Sequence, residues 1–477
     1  MKFPFRYLFC VLIFCLPGFA PSQAQIFDDT PLVVFRMNDG EHGLEPWISD
    51  GTEAGTRLLT DIRPGAVGSF PANFTATEDG RAFFSANDGV HGRELWVTDG
   101  TRGGTYMVRN IGNGLNGSSP THLTYIGSGK VVFSAIGNTG GREPWISDGT
   151  AQGTFRLVNA NPGVADSLPN SFTRLNDRVF MFTAMRNGEY RIWISDGTTA
   201  GTQTIPGPLR NGSDYTMLDE TRVVFGAEHP VRGSQPWIFD LVTRTRPTLL
   251  RNINRNGEGW VYSFTRLANG SFVFVGNHPN HGEELFVTDG TRAGTSLLRR
   301  ITPGGFDTFP YHLTPVDTAA TQLVFATFQD PEANVAHAIW VTDGTRDGTT
   351  RIRNNLSVMY GLGLMAQLDN GRVLFAATDR RNQNSISRGR TLWVTDGTSG
   401  GTTEVFRPNG GQFSEVNNIT PIGAGLALFT GVHRTTGAQV YLTDGTTQGT
   451  SRLTRINISG APSPEQYAVI RMMKNVD

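Results

Sequence analysis

The sequence predicts an all-β chain folded as a single β-propeller of four-stranded antiparallel blades. Three observations predict it. One segment returns nine times along the chain, the residues between returns divide into four short apolar runs, and the two chain ends each hold part of one unit. The segment is clearest from Glu94 to Thr105, which reads Glu-Leu-Trp-Val-Thr-Asp-Gly-Thr-Arg-Gly-Gly-Thr. Its aspartates fall at Asp50, Asp99, Asp148, Asp196, Asp240, Asp289, Asp343, Asp396 and Asp444, most of them 48 to 54 residues apart, with one step of 44 before Asp240. A unit of this size cannot bury a core alone and must stack on its neighbours.

One full period runs from Pro71 to Ile111. Asn73 to Thr77 forms a first strand, closed by the turn residues Glu78-Asp79-Gly80. Arg81 to Ala86 forms a second, and a polar loop from Asn87 to Gly92 follows it. Glu94 to Thr98 is the third strand, where Leu95 and Val97 face one way and Trp96 the other. Thr105 to Asn110 is the fourth, and a longer loop then crosses to the next period. Three short hairpins and one long crossing per period describe blades of a ring. The ends supply the closure. Leu32 to Phe35 reads as a second strand with no first strand before it, whereas Tyr467 to Arg471 reads as a first strand with no second after it. Joined, they complete a ninth blade, so nine blades are expected; eight with one displaced unit is the alternative.

Composition agrees with many short strands. Gly is frequent at 58 residues and the charged fraction is a low 17%, which suits tight turns more than helices. Residues 1–24 stand apart as an expected signal peptide: Lys2 and Arg6 precede an apolar run from Tyr7 to Leu16, and Ser22-Gln23-Ala24 offers a cleavage site. The propeller domain is then 25–477. Both cysteines, Cys10 and Cys15, lie in that leader, so the processed chain is expected to hold no disulfide and no Cys-ligated metal. No basic stripe suggests nucleic acid, and no further apolar segment suggests a membrane span.

In the repeated Asp-Gly-Thr-x-x-Gly-Thr turn the glycines are expected to supply positive φ, as at Gly100 and Gly104. The aspartates accept backbone N–H bonds two residues on. Asp50, Asp99, Asp148, Asp196, Asp289, Asp343, Asp396 and Asp444 are therefore read as turn-building residues. A ring of Ca²⁺ sites is the competing reading, but each turn offers one carboxylate where Ca²⁺ takes six to eight oxygens. Seven tryptophans share one motif position, which suits packing between sheets. Trp260 instead stands in a crossing loop, as an exposed contact. His42, His91 and His281 lie in loops between second and third strands, each close to an acidic residue, and with Trp260 are the candidate ligand-binding residues. Metal ligation by such Asp, His and Glu sets is the weaker reading, because most copies lack the His. No catalytic set assembles; Glu228-His229, Asp307 and Glu332 are isolated candidates. No metal and no cofactor is expected.

The repeated Glu-Leu-Trp-x-x-Asp-Gly-Thr-x-x-Gly-Thr closely resembles the ELWxxDGT repeat family of predominantly bacterial secreted and surface proteins, best in the copies beginning at Glu45, Glu94, Glu143 and Glu284. The third strand is similar to that of kelch repeats, and the turn to the Asp-box of sialidases. The resemblance implies an extracellular propeller-like protein, secreted, periplasmic or at the cell surface, and transfers no catalytic residue. The functional expectation is a non-enzymatic binding or scaffold module for a protein or glycan at the loop-rich face. A carbohydrate-active enzyme, a glycoside hydrolase or lyase, is the alternative, and a multivalent lectin the third reading.

Overall fold

The computed structural model describes residues 32–163, 165–255, 258–301, 309–327, 337–358, 365–380, 389–406, 413–433, 437–453 and 467–470. Residues 1–24, expected as a signal peptide, and Asp307 and Glu332 lie outside the described residues. Within them, every regular element is a strand, and the strands form nine antiparallel sheets. These are the nine blades of a β-propeller, and the eight-bladed alternative falls.

Blade 2 shows the plan. Its strands Ala72–Ala76, Ala82–Asn87, Arg93–Thr98 and Tyr106–Arg109 lie side by side in sequence order. Blade 1 is sewn from both ends of the chain: Leu32–Asn38, Leu44–Ser49 and Arg57–Leu58 are joined by Tyr467–Ile470, which pairs antiparallel with Leu32–Phe35. Blade 8 departs from the plan. Two short strands, Leu356–Val358 and Met365–Leu368, share the innermost place along Arg372–Asp379.

Side-chain alternation explains the stacking. In blade 2, Phe83, Leu95 and Val97 pack on Phe133 and Trp145 of blade 3. Phe84 and Trp96 turn the other way, onto Val34 and Ile48 of blade 1. Each blade is therefore apolar on both faces, and its core lies between sheets and not within one. Nine buried clusters follow, one at each interface between neighbouring blades. The cluster that joins Leu428 and Val440 of blade 9 to Val33 and Phe35 of blade 1 closes the ring. The motif aromatics belong to these clusters: Trp193, Trp237, Trp340 and Trp393 are buried, and the indole N–H of Trp237 donates to the Ala227 carbonyl at 3.1 Å. Burial of a large apolar side chain is worth about 1.5–3 kcal/mol, so the interfaces supply most of the cohesion.

The third-to-fourth-strand turns repeat one hydrogen-bond set. In blade 2, Asp99 Oδ1 accepts from Thr101 N at 2.8 Å and from Thr101 Oγ1 at 2.7 Å. Thr101 Oγ1 accepts from Gly104 N at 2.9 Å, and Thr105 Oγ1 donates to the Thr101 carbonyl at 2.6 Å. The same donation from the threonine Oγ1 two residues on forms at Asp50, Asp148, Asp196, Asp289, Asp343, Asp396 and Asp444. Gly100 has φ of 89° as expected, but Gly104 does not adopt positive φ. Its need for glycine is steric: a Cβ there would stand 2.1 Å from Asp99 Oδ1. Asp240, whose copy lacks both glycines, closes a different turn by accepting from Val242 N and Thr243 N.

Candidate functional site: the central channel and its loop-rich mouth

Among the outer, middle and first strands, it is the first strands that meet from blade to blade around the ring. They therefore surround the axis. Each of the seven such strands in blades 2 to 7 and 9 carries the same irregularity. In blade 2 the register with the second strand jumps between Ala72 and Thr75, and Asn73 between them has φ of 58°. The corresponding bulge residues are His122, Ser171, Asp214, Ser263, His312 and Asn418, all at positive φ. A bulge bends the strand, raises its twist and takes backbone groups out of the ladder.

The local sequence accounts for it. Each bulge residue is polar, is followed by Phe, Leu, Tyr or Ile, and then by Thr. The apolar residue plugs an interface, as Phe74, Phe172, Tyr215 and Phe264 do. The threonine hydroxyl donates back to the carbonyl of the bulge residue, at 3.2 Å from Thr124 to His122 and 2.9 Å from Thr314 to His312. Bonds of the same kind form at Thr75, Thr173, Thr216, Thr265 and Thr420. The polar side chain is left on the accessible side, most openly at His122 and Asp214. Surrounding protein pushes the Asp214 carboxyl above its ordinary range, opposed by bonds from Ser263 N–H and the Ser213 hydroxyl. It likewise pushes His122 down, with help from the positive charge of Arg142. Sequence reasoning missed this ring. Its signal was the polar–apolar–Thr triplet returning with the period of the motif.

The mouth at the loop-rich end is built by the motif glutamates. Glu94 is fully buried, and its carboxylate accepts from Gly112 N at 2.9 Å, Ser118 N at 3.0 Å and Ser118 Oγ at 2.5 Å. It thus ties the crossing loop down beside the hairpin that precedes it, and Arg93 bridges to Gly117. Glu45 does the same with Ile62 N, Arg63 N and Ser69, Glu143 with Ala160 N, and Glu284 with Ile301 N. These carboxylates, counted in the sequence among metal-ligating candidates, are committed to backbone donors. Burial raises the pKa of Glu45, Glu94 and Glu143 although their bonds oppose it. No group of three or more His, Cys, Asp or Glu fit to hold a metal occurs among the described residues.

The candidate ligand residues sit around this mouth. His42 and His91 occupy the hairpins of blades 1 and 2, each with Nδ1 2.7 Å from its own loop aspartate, Asp39 or Asp88. Asp39 raises the His42 pKa through that bond. His281, in blade 6, stacks on His278 at 4.4 Å. The three lie one per hairpin and form no common cluster. Trp260 is 53% exposed at the start of the blade 6 first strand, with Phe70 (42%) and Leu168 (38%) at the matching places in blades 2 and 4. All three have positive φ. Of the isolated catalytic candidates, Glu228 accepts from Asn211 Nδ2 at 2.6 Å and His229 stacks on Trp237. No helix long and apolar enough to cross a membrane occurs among the described residues.

No protein-family model matches the sequence, and no curated protein matches it. Solved structures with similar folds do exist. A puromycin-hydrolyzing peptidase of Mycobacterium tuberculosis is 10% identical, with a TM-score of 0.45 over 90% of this chain and 57% of that one. The tricorn protease is 14% identical, with a TM-score of 0.39 over 95% of this chain and 49% of that one. The β-propeller domain of the Trilobed protease from Pyrococcus furiosus is 11% identical, with a TM-score of 0.37 over 72% and 99%. The chain spans about half the length of the two whole peptidases. These matches are likenesses of fold. The structures they bring forward carry the names of peptidases, where the sequence led to the expectation of a non-enzymatic binding or scaffold module for a protein or glycan, with a carbohydrate-active enzyme as the alternative; that expectation is corrected.

Proposed function

We propose that this chain is a protease-associated propeller whose channel takes up an extended polypeptide segment at the loop-rich mouth. The observation that carries the reading is the bulged inner wall. Seven first strands carry a polar side chain at a bulge in the wall that surrounds the axis, at Asn73, His122, Ser171, Asp214, Ser263, His312 and Asn418. Such a wall suits a peptide backbone, which carries a donor and an acceptor at every residue and needs partners regardless of its side chains. Phe70, Leu168 and Trp260 at the mouth supply apolar contacts for side chains. On this reading the polypeptide partner meets the loop-rich face. Export to the periplasm, the cell surface or the medium, and membership of the ELWxxDGT repeat family, are part of the same proposal and rest on residues 1–24 and on the repeated motif.

The test is fluorescence anisotropy with labelled unstructured peptides and with a folded protein as control. Peptide binding is expected, and the folded control should not bind. Ser171→Trp combined with Ser263→Trp fills the channel from two sides and should weaken binding at least about tenfold, or about 1.4 kcal/mol. Unchanged binding by a folded double variant removes the channel from the reading.

A further inference from the structure

A separate cleft of about 470 Å³ opens between blades 5 and 6 on the outer side of the ring. Three guanidinium groups line it: Arg251 and Arg255 from the crossing loop that follows the outer strand of blade 5, and Arg292 from the turn of blade 6. Among the described residues, no Asp or Glu lines it. Two other clefts of the ring also contain arginine, but there the charge is answered. Arg372 faces a cleft with Asp396 and Glu404, and Arg186 and Arg191 share theirs with Glu189, which pairs with Arg191 at 2.5 Å.

Of the three cations, Arg251 donates one bond among the described residues, to the Thr295 carbonyl at 2.6 Å. Arg255 and Arg292 are exposed. Like charges gathered in a concave site concentrate anions there, and planar guanidinium forks match tetrahedral oxyanions. A second feature narrows the ligand. Asn252 Oδ1 is buried at the cleft and finds no donor among the described residues. A buried acceptor without a donor costs free energy, so the occupant should carry a proton to give. Phe286 supplies a buried apolar wall. His278 is pushed down by burial and by His281, which leaves the cationic charge to the arginines.

We propose that this cleft binds a phosphate group, either free or as a monoester. Inorganic phosphate near neutral pH keeps a proton on the anion and can donate to Asn252, and a monoester keeps one in its monoanion, whereas sulfate carries the charge without the proton. A cleft of this size also has room for the organic part of an ester.

Isothermal titration with inorganic phosphate, sulfate and phenyl phosphate tests it on the full chain. Phosphate should bind, sulfate should bind at least about fivefold more weakly, and added salt should weaken both. Tighter phenyl phosphate than inorganic phosphate identifies an ester site; equal affinities identify a site for the free ion. Arg255→Ala with Arg292→Ala should lower phosphate affinity at least about tenfold. Arg102→Ala, at the same motif place in blade 2, should leave it unchanged, with thermal unfolding confirming that each variant is folded. Absence of phosphate binding, sulfate binding as tight as phosphate, or equal affinity in the Arg255/Arg292 variant overturns the proposal.

Discussion

Exchanging the crossing-loop anchors between blades tests how the loop-rich face is held. Glu94 faces only donors: two backbone N–H groups and one hydroxyl. The same place in blade 5 is Gln235, also fully buried, and it faces a mixed set. Its Oε1 accepts from Ile253 N at 2.9 Å, while its Nε2 donates to the carbonyls of Arg232 at 2.9 Å and Asn254 at 3.2 Å. Glu94→Gln turns an amide NH₂ toward donors and leaves at least one of them unanswered. At about 1–3 kcal/mol for each buried polar group left unpaired, the loss should be about 2–4 kcal/mol. Gln235→Glu sets a carboxylate against two carbonyls, with a similar or larger loss at neutral pH. The two should differ in pH dependence. Burial raises the pKa of Glu94, so the ionised form is disfavoured by folding; its contribution is full below the ordinary carboxyl range and falls as pH rises through the raised value. Replacing it with Gln should remove that fall. The new carboxyl at 235 should likewise titrate high, so Gln235→Glu should be mild in acid, where it is protonated and can donate, and severe in base. Urea unfolding followed by tryptophan fluorescence across that pH range gives both slopes. Losses below about 1 kcal/mol for both variants would refute the anchor assignment.

Three further outcomes follow from the same geometry. Gly104→Ala, whose new Cβ would meet Asp99 Oδ1 at 2.1 Å, should lose about 1–3 kcal/mol in urea unfolding, whereas Gly103→Ala, with nothing within 4 Å, should change stability little. Trp193→Ala should cost about 3–5 kcal/mol because the indole is buried between blades 3 and 4. Trp260→Ala should leave thermal unfolding nearly unchanged and weaken peptide binding, and a stability loss matching that of Trp193→Ala would contradict its place at the mouth. Ending the chain before Tyr467 removes the strand paired with Leu32–Phe35 and exposes an edge, so light scattering should report association and the melting temperature should fall.

Much of this architecture was legible because its chemistry is local. An aspartate that bonds the threonine two residues on, and an aromatic every period on the same strand, are written in short windows, so turns, blade number and the end-to-end clasp could all be read. The steric demand at Gly104 was not, because the atom it would strike belongs to Asp99, folded back across the turn. The anchoring role of the glutamates was not legible for a related reason. Glu94 looks like a member of an Asp-His-Glu set in sequence, yet its partners are 18 and 24 residues downstream. The bulged wall was written in triplets such as Asn73-Phe74-Thr75, but a bulge depends on pairing with a second strand, which no single window contains.

The two ends of the ring therefore differ in kind. At the turn end, eight aspartates are each answered by the threonine of their own loop, so that end is chemically closed and repeats with little variation. At the other end the crossing loops after blades 1, 2, 3, 5 and 6 each hang on one anchor, and a change of anchor changes what the loop presents. Blade 5 illustrates the consequence. With Gln235 in place of Glu, the loop is held at Ile253 and Asn254 by a neutral side chain, next to Arg251 and Arg255. A carboxylate there would place a negative charge close behind those guanidinium groups and offset the field that draws an anion into the cleft. Gln235→Glu should consequently weaken phosphate binding at pH values where the new carboxyl is ionised and restore it in acid. Phosphate affinity that ignores this substitution while the fold persists would separate the anchor from the cleft, and leave their adjacency without chemical meaning.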